Sequence, residues 1–386
     1  MTTVYLVRHA EAEGNVYRRY HGWYNSLITD NGYRQIGQLK ARFASVAVDA
    51  VYSSDLFRTM TTAAAIYKPK GLTLVTDPDL REIGGGAWED KTWGELRKEN
   101  EESLVAFNRA DINWKAEGSE TFGGVQKRVT AAILRLAAAH DGETIAIVAH
   151  GTAIRTALAA FSGLPAQRIE EIPHGDNTAV SCLEVDGDEV RILFMNDNSH
   201  LGDLTTLGKQ NWWKQGGVTG YGLMNLWFRP LDFAAEADFY TEARREAWEN
   251  IHGTMEGYDG ETLLREAQAH SAYDRRSIMV AMQEDKPVGV LQMDLQRGAD
   301  EGTGDISFFY LVPELRCRGF GIQLIGQAVS TYRPLGREHL RLLCEAENDR
   351  ARRFYERYGF RKTGEETGTP GRLDVLEKYI GYNPQV

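Results

Sequence analysis

The chain has 386 residues, more than one hydrophobic core usually serves, so two domains are expected. Its 42% hydrophobic and 26% charged residues can fill two cores, and a formal charge of −11 argues against a general nucleic-acid or anionic-membrane surface. Three scattered cysteines (Cys182, Cys317, Cys344) exclude a disulfide framework or zinc knuckle, and no apolar run suits a signal peptide or spanning helix, so a cytoplasmic enzyme is expected.

In chain order, TVYLV at 3–7 reads as a short buried strand. Asp30 offers an N-cap to a helix whose apolar face is Ile36, Leu39 and Phe43. AVYSS at 50–54 reads as a second strand, with a helix starting near Asp55. Val125, Val129, Ile133 and Leu136 recur at helical spacing, and TIAIVAHG at 144–151 is a buried strand running into a helix after Gly151. Strands alternating with helices predict an α/β sandwich. Periodicity is lost over TTLGKQNWWKQGGVTGYG, so 205–222 is expected to be a linker between domains at 1–204 and 223–386, with Trp212 and Trp213 packed on one of them. NLWFRPLD opens a second α/β segment. There ISFFYLV runs into a loop with Arg316, Gly319 and Gly321, and a strand at 340–344 leads to Asn348 and a helix stopped by Gly359.

Three strand ends in the first half deliver basic residues: Arg8 and His9, with Glu11 and Asn15 following; Arg58 in a first helical turn; and His150. Ligands of α/β sheets bind at the carboxyl ends of strands. Guanidinium forks match the oxygens of a phosphate dianion, and two unit charges 4 Å apart attract by about 4 kcal/mol at an effective dielectric near 20. Neighbouring cations keep an imidazole neutral and nucleophilic, and a phosphohistidine divides one hard displacement into two easier ones. Glu82 is expected to protonate the leaving alkoxide, with burial raising its pKa. The chemistry needs no metal, and neither HExxH nor a carboxylate cluster is present. Each residue alone has a bland reading, in core packing or on a solvated helix face; their joint occurrence carries the expectation.

Residues 1 to about 205 resemble the histidine phosphatase superfamily, in its phosphoglycerate-mutase-like branch. RHAEAEGN is similar to RHGExxxN, with Ala10 in place of glycine, and HGWYNSLITDNGYRQ resembles the following loop and helix entry. SSDLFRTMTTA, VAHGTAIR and LREIGGGAWED complete the pattern, Asp90 replacing a final glycine. The resemblance implies a three-layer α/β/α sandwich, His9 as nucleophile, Arg8, Arg58 and His150 as phosphate ligands, Glu82 as acid, and Asn15 and Gly151 as substrate contacts. The compact, weakly basic segment 91–140 favours a phosphatase over a mutase on a phosphorylated small acid.

In the second half, glycines let a backbone approach a ligand closely, and N–H groups at a helix start form a nest for pyrophosphate. Ala351, Phe354, Tyr355 and Tyr358 share a helical face, which core packing alone explains. Residues 223 to 386 resemble the GNAT acetyltransferase family, a mixed α/β acyltransferase fold: RCRGFG fits its (Q/R)xxGx(G/A) loop and NDRARRFYERYGF its NxxAxxFYxxxGF helix. The resemblance implies acetyl-CoA as cofactor. The N–H groups of Arg316, Cys317, Arg318, Gly319, Phe320, Gly321 and Ile322 would hold its pyrophosphate, Leu311 would contact it through the backbone, Asn348 would line it, and Tyr355 would protonate the thiolate. Asp305 and Glu314 are the candidate bases. The expected function is a phosphomonoesterase fused to an N-acetyltransferase, with a phosphorylated small molecule and an amine as partners and neither nucleic acid nor membrane. The alternatives are a phosphatase regulated by a non-catalytic acyl-CoA-binding module, and a mutase fused to the acetyltransferase.

Overall fold

A computed structural model describes residues 1–206, 224–368 and 371–382. The expected linker, with Trp212 and Trp213, lies outside the described residues from 207 onward. Two compact units are present, one holding residues 1–91 and 99–206, the other 92–98 and 224–382.

The elements up to residue 206 are β1 (Thr2–Arg8), α1 (Glu13–Tyr17), α2 (Asp30–Phe43), β2 (Ala50–Ser53), α3 (Phe57–Lys70), β3 (Leu74–Thr76), α4 (Trp93–Glu99), α5 (Glu101–Asn108), α6 (Phe122–Ala138), β4 (Thr144–Ala149), α7 (Gly151–Phe161), β5 (Val180–Asp186) and β6 (Glu189–Asp197). They form a six-stranded sheet in the order β3-β2-β4-β1-β5-β6. β1 to β4 run parallel, and β5 and β6 are antiparallel additions. Side chains alternate across a strand. Val7, Val51, Ala146 and Val148 meet Leu39 and Phe43 of α2 and Ala63 and Ile66 of α3 on one face. That leaves Leu6, Ile145 and Ile147, all buried, for the opposite face, where α6 and α7 pack against β1. Each large apolar side chain so buried contributes about 1.5–3 kcal/mol.

One helix start differs from expectation, and another falls near Asp55 as expected. α2 is capped by Thr29, whose hydroxyl accepts from Gly32 N at 3.0 Å, and not by Asp30, which is the first helical residue. α3 begins at Phe57, two residues after Asp55. The Asp55 carboxylate is committed to Arg81 Nε at 2.6 Å, and Phe57 N donates to Asn25 Oδ1 at 3.1 Å.

The later elements are β7 (Trp227–Pro230), α8 (Phe233–His252), α9 (Gly260–Tyr273), β8 (Ile278–Gln283), β9 (Lys286–Asp294), β10 (Thr303–Leu311), α10 (Gly321–Tyr332), β11 (His339–Glu345), α11 (Asp349–Arg357), β12 (Arg361–Thr367) and β13 (Arg372–Tyr379). Their sheet is seven-stranded, in the order β12-β13-β11-β10-β9-β8-β7. α8 and α9 bury Tyr240, Ala243 and Ala267 against Ile278, Val280 and Val290. The parallel neighbours β10 and β11 pair only from Thr303 to Ile306 and from His339 to Leu342. β10 is bulged between Ile306 and Phe308, a distortion that bends a strand, and the pair parts beyond that point. The resulting wedge opens toward the loop that precedes α10.

Candidate active sites

In the first unit, parallel register places Arg8 opposite Ala149 and Ser53 opposite Val148, so the carboxyl ends of β1, β2 and β4 share one edge. His9 follows β1 and is 3% exposed. Its Nδ1 lies 2.7 Å from Ala10 O, which can only accept, so Nδ1 carries the hydrogen and Nε2 keeps its lone pair. Burial, and then the Arg58 and Arg8 charges, hold its pKa well below the ordinary histidine value. The His9 ring centroid is 5.3 Å from that of His150 and 5.8 Å from that of His21.

Arg58 is fully buried, and its guanidinium serves two tasks. Nε donates to His150 Nδ1 at 3.2 Å, while Nη1 and Nη2 hold the carbonyls of Tyr24, His21 and Gly22 at 3.0, 3.0 and 2.6 Å. Burial lowers its pKa to about 10, which still leaves it charged at neutrality. Arg8 Nη1 donates to Gly175 O at 2.6 Å, but its buried Nε has no protein acceptor. Gly151 packs against that group, since a Cβ there would stand 3.4 Å from Arg8 Nε.

His150 is brought beside His9, yet both of its nitrogens are engaged: Nδ1 accepts from Arg58, and Nε2 meets Ser54 Oγ at 2.7 Å. Direct contact with a phosphate therefore requires His150 to release Ser54 Oγ or Arg58 Nε. Glu82 sits on the N-terminus of α7. Its Oε1 accepts from Ile83 N at 2.9 Å and Ala153 N at 3.0 Å, and its Oε2 accepts from Thr152 N at 3.0 Å. Asn15 Oδ1 accepts from Ala12 N at 3.0 Å, and its Nδ2 meets His21 Nε2 at 3.3 Å. Glu11 is turned away to Thr29, Asn31 and Thr206.

Sequence reasoning missed three residues here. His21 is the third imidazole, signalled only by the HG pair in its loop. Asn177 is fully buried and donates to His9 O at 2.9 Å, with its Oδ1 unpartnered. Glu89 gathers Trp23 N, Gly85 N and Tyr24 N, each at 2.8 Å, and so fixes the loop that Arg58 also grips. The two departures from the glycine pattern are accommodated. Ala10 is fully buried, with its N–H on Thr62 Oγ1 at 2.9 Å. Asp90 adopts φ +61°, a left-handed conformation that aspartate tolerates better than most residues, and faces Arg19.

In the second unit, the loop before α10 has Cys317 at φ +60° and Gly319 at φ +84°. No side chain caps α10, so its start offers N–H groups to an outside acceptor. A Cβ at Gly321 would stand 2.8 Å from the Phe354 ring, while the space beside Gly319 is open. The Arg316 side chain faces away from this nest: Nε donates to Leu311 O at 2.8 Å, and the guanidinium pairs with Glu246. The Leu311 carbonyl thus already has a partner. Asn348 caps α11, Oδ1 accepting from Ala351 N at 3.0 Å.

Tyr355 is buried among Phe309, Phe354 and Phe360, with ring centroids 5.8, 5.2 and 5.4 Å away. Burial, with a smaller effect of Cys344, raises its hydroxyl far above the ordinary tyrosine range, so it keeps its proton. Asp305 is 4% exposed on β10, 3.7 Å from Arg297 Nε, and burial raises its carboxyl; Glu314 is exposed. An open N–H nest beside a strand wedge suits the pyrophosphate and extended arm of an acyl-CoA.

Among the described residues, no three histidine, cysteine or acidic side chains gather as a metal site, and no helix is long and apolar enough to cross a membrane. A mixed sheet with imidazoles and guanidinium groups at its parallel strand ends, followed by a sheet with one splayed parallel pair, defines a phosphoglycerate-mutase-like domain joined to an acyltransferase-type domain. The chain belongs to the histidine phosphatase superfamily (branch 1), which it matches over residues 4–198, and carries an acetyltransferase (GNAT) family domain at 232–360. It is 34% identical over 166 residues to a probable phosphoglycerate mutase, GpmB, of Yersinia pestis (strain Pestoides F), covering 43% of this chain and 77% of that relative. The structure of Bacillus stearothermophilus YhfR is similar at 34% identity and a TM-score of 0.51, covering 52% of this chain and 99% of that one. The alpha-ribazole phosphatase of Shigella flexneri aligns at 25% identity and a TM-score of 0.47, over 50% and 96% of the two chains.

Proposed function

We propose that the chain is a bifunctional cytoplasmic enzyme, a phosphomonoesterase at 1–204 joined through 205–222 to an acetyl-CoA-dependent N-acetyltransferase at 223–386. The observation that carries the first half is the His9 tautomer: Nδ1 is tied to Ala10 O, which leaves Nε2 as the lone pair, next to two guanidinium groups.

In this reading His9 Nε2 attacks phosphorus, the ester P–O bond breaks, and the oxygen of the leaving alcohol takes a proton from Glu82. Water then attacks the phosphohistidine, giving its proton back to Glu82 and releasing inorganic phosphate and free His9. To deliver a proton, a Glu82 oxygen gives up Thr152 N or Ala153 N and turns inward. The unpartnered Arg8 Nε is a ready donor to a phosphate oxygen, and Arg58 adds charge in a site where water does not screen it. Asn15 and Gly151 line the substrate. The test is hydrolysis of an aryl phosphate: His9→Ala should abolish it and leave coenzyme A binding intact. Full activity in that variant refutes the reading.

The name of the Yersinia relative favours a mutase as the second reading. Product analysis separates the two, because release of inorganic phosphate counts against net phosphoryl transfer between hydroxyls.

In the second half the N–H groups from Arg316 to Ile322 would hold the pyrophosphate, with Asn348 and the backbone near Leu311 along the cofactor. Acetyl-CoA, when bound, supplies an activated acetyl group and a thiol leaving group. Tyr355 Oη holds the proton destined for sulfur, and Asp305, buried on β10, and Glu314, exposed after it, are the two candidates to take the amine's proton. Labelled acetyl-CoA with a panel of amines tests this. Coenzyme A binding without any product would favour the regulatory-module reading instead.

A further inference from the structure

The loop between α1 and α2 brings His21 into the phosphate site. Its ring lies on the backbone of α1, where a Cβ at Gly14 would stand 2.3 Å from His21 Cγ. The orientation of Asn15 is fixed by Ala12 N on its Oδ1, so its Nδ2 is the atom that faces His21 Nε2 at 3.3 Å. His21 Nε2 is therefore an acceptor, and Nδ1 carries the hydrogen toward Ser26 Oγ at 3.1 Å. The ring meets His9 edge-on, at 5.8 Å and 82°.

We propose that His21 is the group that takes up a proton when a tetrahedral dianion enters this site, so that two guanidinium groups and one imidazolium hold the anion. The proposal rests on the phosphatase reading. His9 cannot fill this role, because it must keep the Nε2 lone pair for attack. His150 is fully buried, and a proton on its Nδ1 would face Arg58 Nε, one cation against another. His21 is only partly buried, and the group opposite its Nε2 is the neutral amide of Asn15, which presents its oxygen to a protonated ring once it exchanges Ala12 N for that bond.

The charged and titratable groups around His21 are Arg58 from α3, Arg8 from β1, His9 and His150 at the strand ends, and Glu89, which holds Trp23 N and Tyr24 N in the same loop. In the free site burial, then Arg58 and Arg8, keep the ring neutral, with its pKa well below 6.5. A bound dianion offsets those two charges and raises it. The imidazolium is thus favoured in the complex, and dianion binding tightens as pH falls through the window between the free and bound values.

Sulfate is a suitable probe, being a tetrahedral dianion that takes no proton itself near neutrality. Calorimetric titration of the full chain, in two buffers of different ionisation enthalpy, should show a substantial fraction of one proton taken up per sulfate bound. His21→Gln, whose amide oxygen still accepts from Asn15, should take up at most roughly half as much, and its sulfate Kd should lose most of its pH slope. Undiminished uptake in His21→Gln overturns the proposal, and so does an absence of uptake in the unaltered chain. Should the variant fail to fold, a sulfate Kd independent of pH in the unaltered chain overturns it as well. Failure of the parent reading looks different: His9→Ala would retain aryl phosphatase activity, whatever sulfate does.

Discussion

The two sites are built from different materials. In the phosphatase half, side chains from four distant segments converge: His9, Arg58, Glu82 and His150 stand within a few ångströms of one another's partners, and the protein itself occupies most of their hydrogen-bonding positions. In the acetyltransferase half the proposed working groups are mainly backbone amides from one run of seven residues, and one of its two charged side chains, Arg316, bonds elsewhere. Chemistry carried by side chains should be sensitive to what a residue is. Chemistry carried by amides should be sensitive to which backbone angles it permits.

The sharpest separation is expected at Arg58. Arg58→Ala removes a buried cation and three carbonyl contacts at once, and should lower kcat/KM on an aryl phosphate about a thousandfold, close to 4 kcal/mol. Arg58→Lys keeps the charge but not the fork, and should recover only part of the loss. Circular dichroism alongside the kinetics separates a collapsed loop from a lost charge. No single side chain of the Arg316–Ile322 loop should matter as much to coenzyme A affinity. A thousandfold effect of Arg318→Ala would erase the contrast.

Tyr355 is the exception that sharpens it, a side chain in the otherwise backbone-built site. Tyr355→Phe keeps the ring packing on Phe354 and Phe360 and deletes only the hydroxyl, the proposed proton donor. Acetyl transfer should fall about a hundredfold, as for loss of a general acid, while coenzyme A Kd stays nearly constant. Equal losses in both would make Tyr355 a binding residue.

The third expectation concerns pH. His9 is depressed by burial and by Arg58 and Arg8, so its neutral, nucleophilic form persists below 6.5 and is lost only as pH falls through that lower value. A profile of kcat/KM, which reports the free enzyme, should show no His9 titration near 6.5 once the substrate's own ionisation near about 6 is allowed for. Arg58→Ala should move the acid limb upward, because one of the depressing charges is gone.

The same contrast governs what could be read from the sequence. His9, Arg58 and His150 could be singled out because short strands and their ends leave a local mark, and Glu82 because LREIGGGAWED resembles a family pattern. His21, Asn177 and Glu89 could not: their roles are set by contacts with His9 O, Asn15 and the Tyr24 amide, which no local pattern encodes. Arg316 shows the limit clearly. Its place in the loop was legible, but its partner Glu246 lies 70 residues upstream, so the direction of its side chain was not. The cap of α2 fell between two adjacent residues that both cap well, and the packing of Leu39 and Phe43 sets the register that chose Thr29 over Asp30.

The smallest expected effect tests the backbone side of the comparison. Gly319 has φ +84°, and nothing stands within 4 Å of where its Cβ would be, so Gly319→Ala meets strain but no clash. Holding alanine in that conformation costs on the order of 1 kcal/mol. On the proposal that the loop's amides hold the cofactor only while that turn is kept, the cost should appear as roughly a fivefold weaker coenzyme A Kd, with Tm nearly unchanged and the phosphatase unaffected. The Cys317 position, at φ +60°, supplies the opposite change. Cys317→Gly relieves a comparable strain, so affinity should hold or rise slightly although a side chain has been removed. If instead both substitutions weaken binding alike, side-chain contacts and not backbone angles govern this loop, and the distinction between the two sites fails at the point where it should be cleanest.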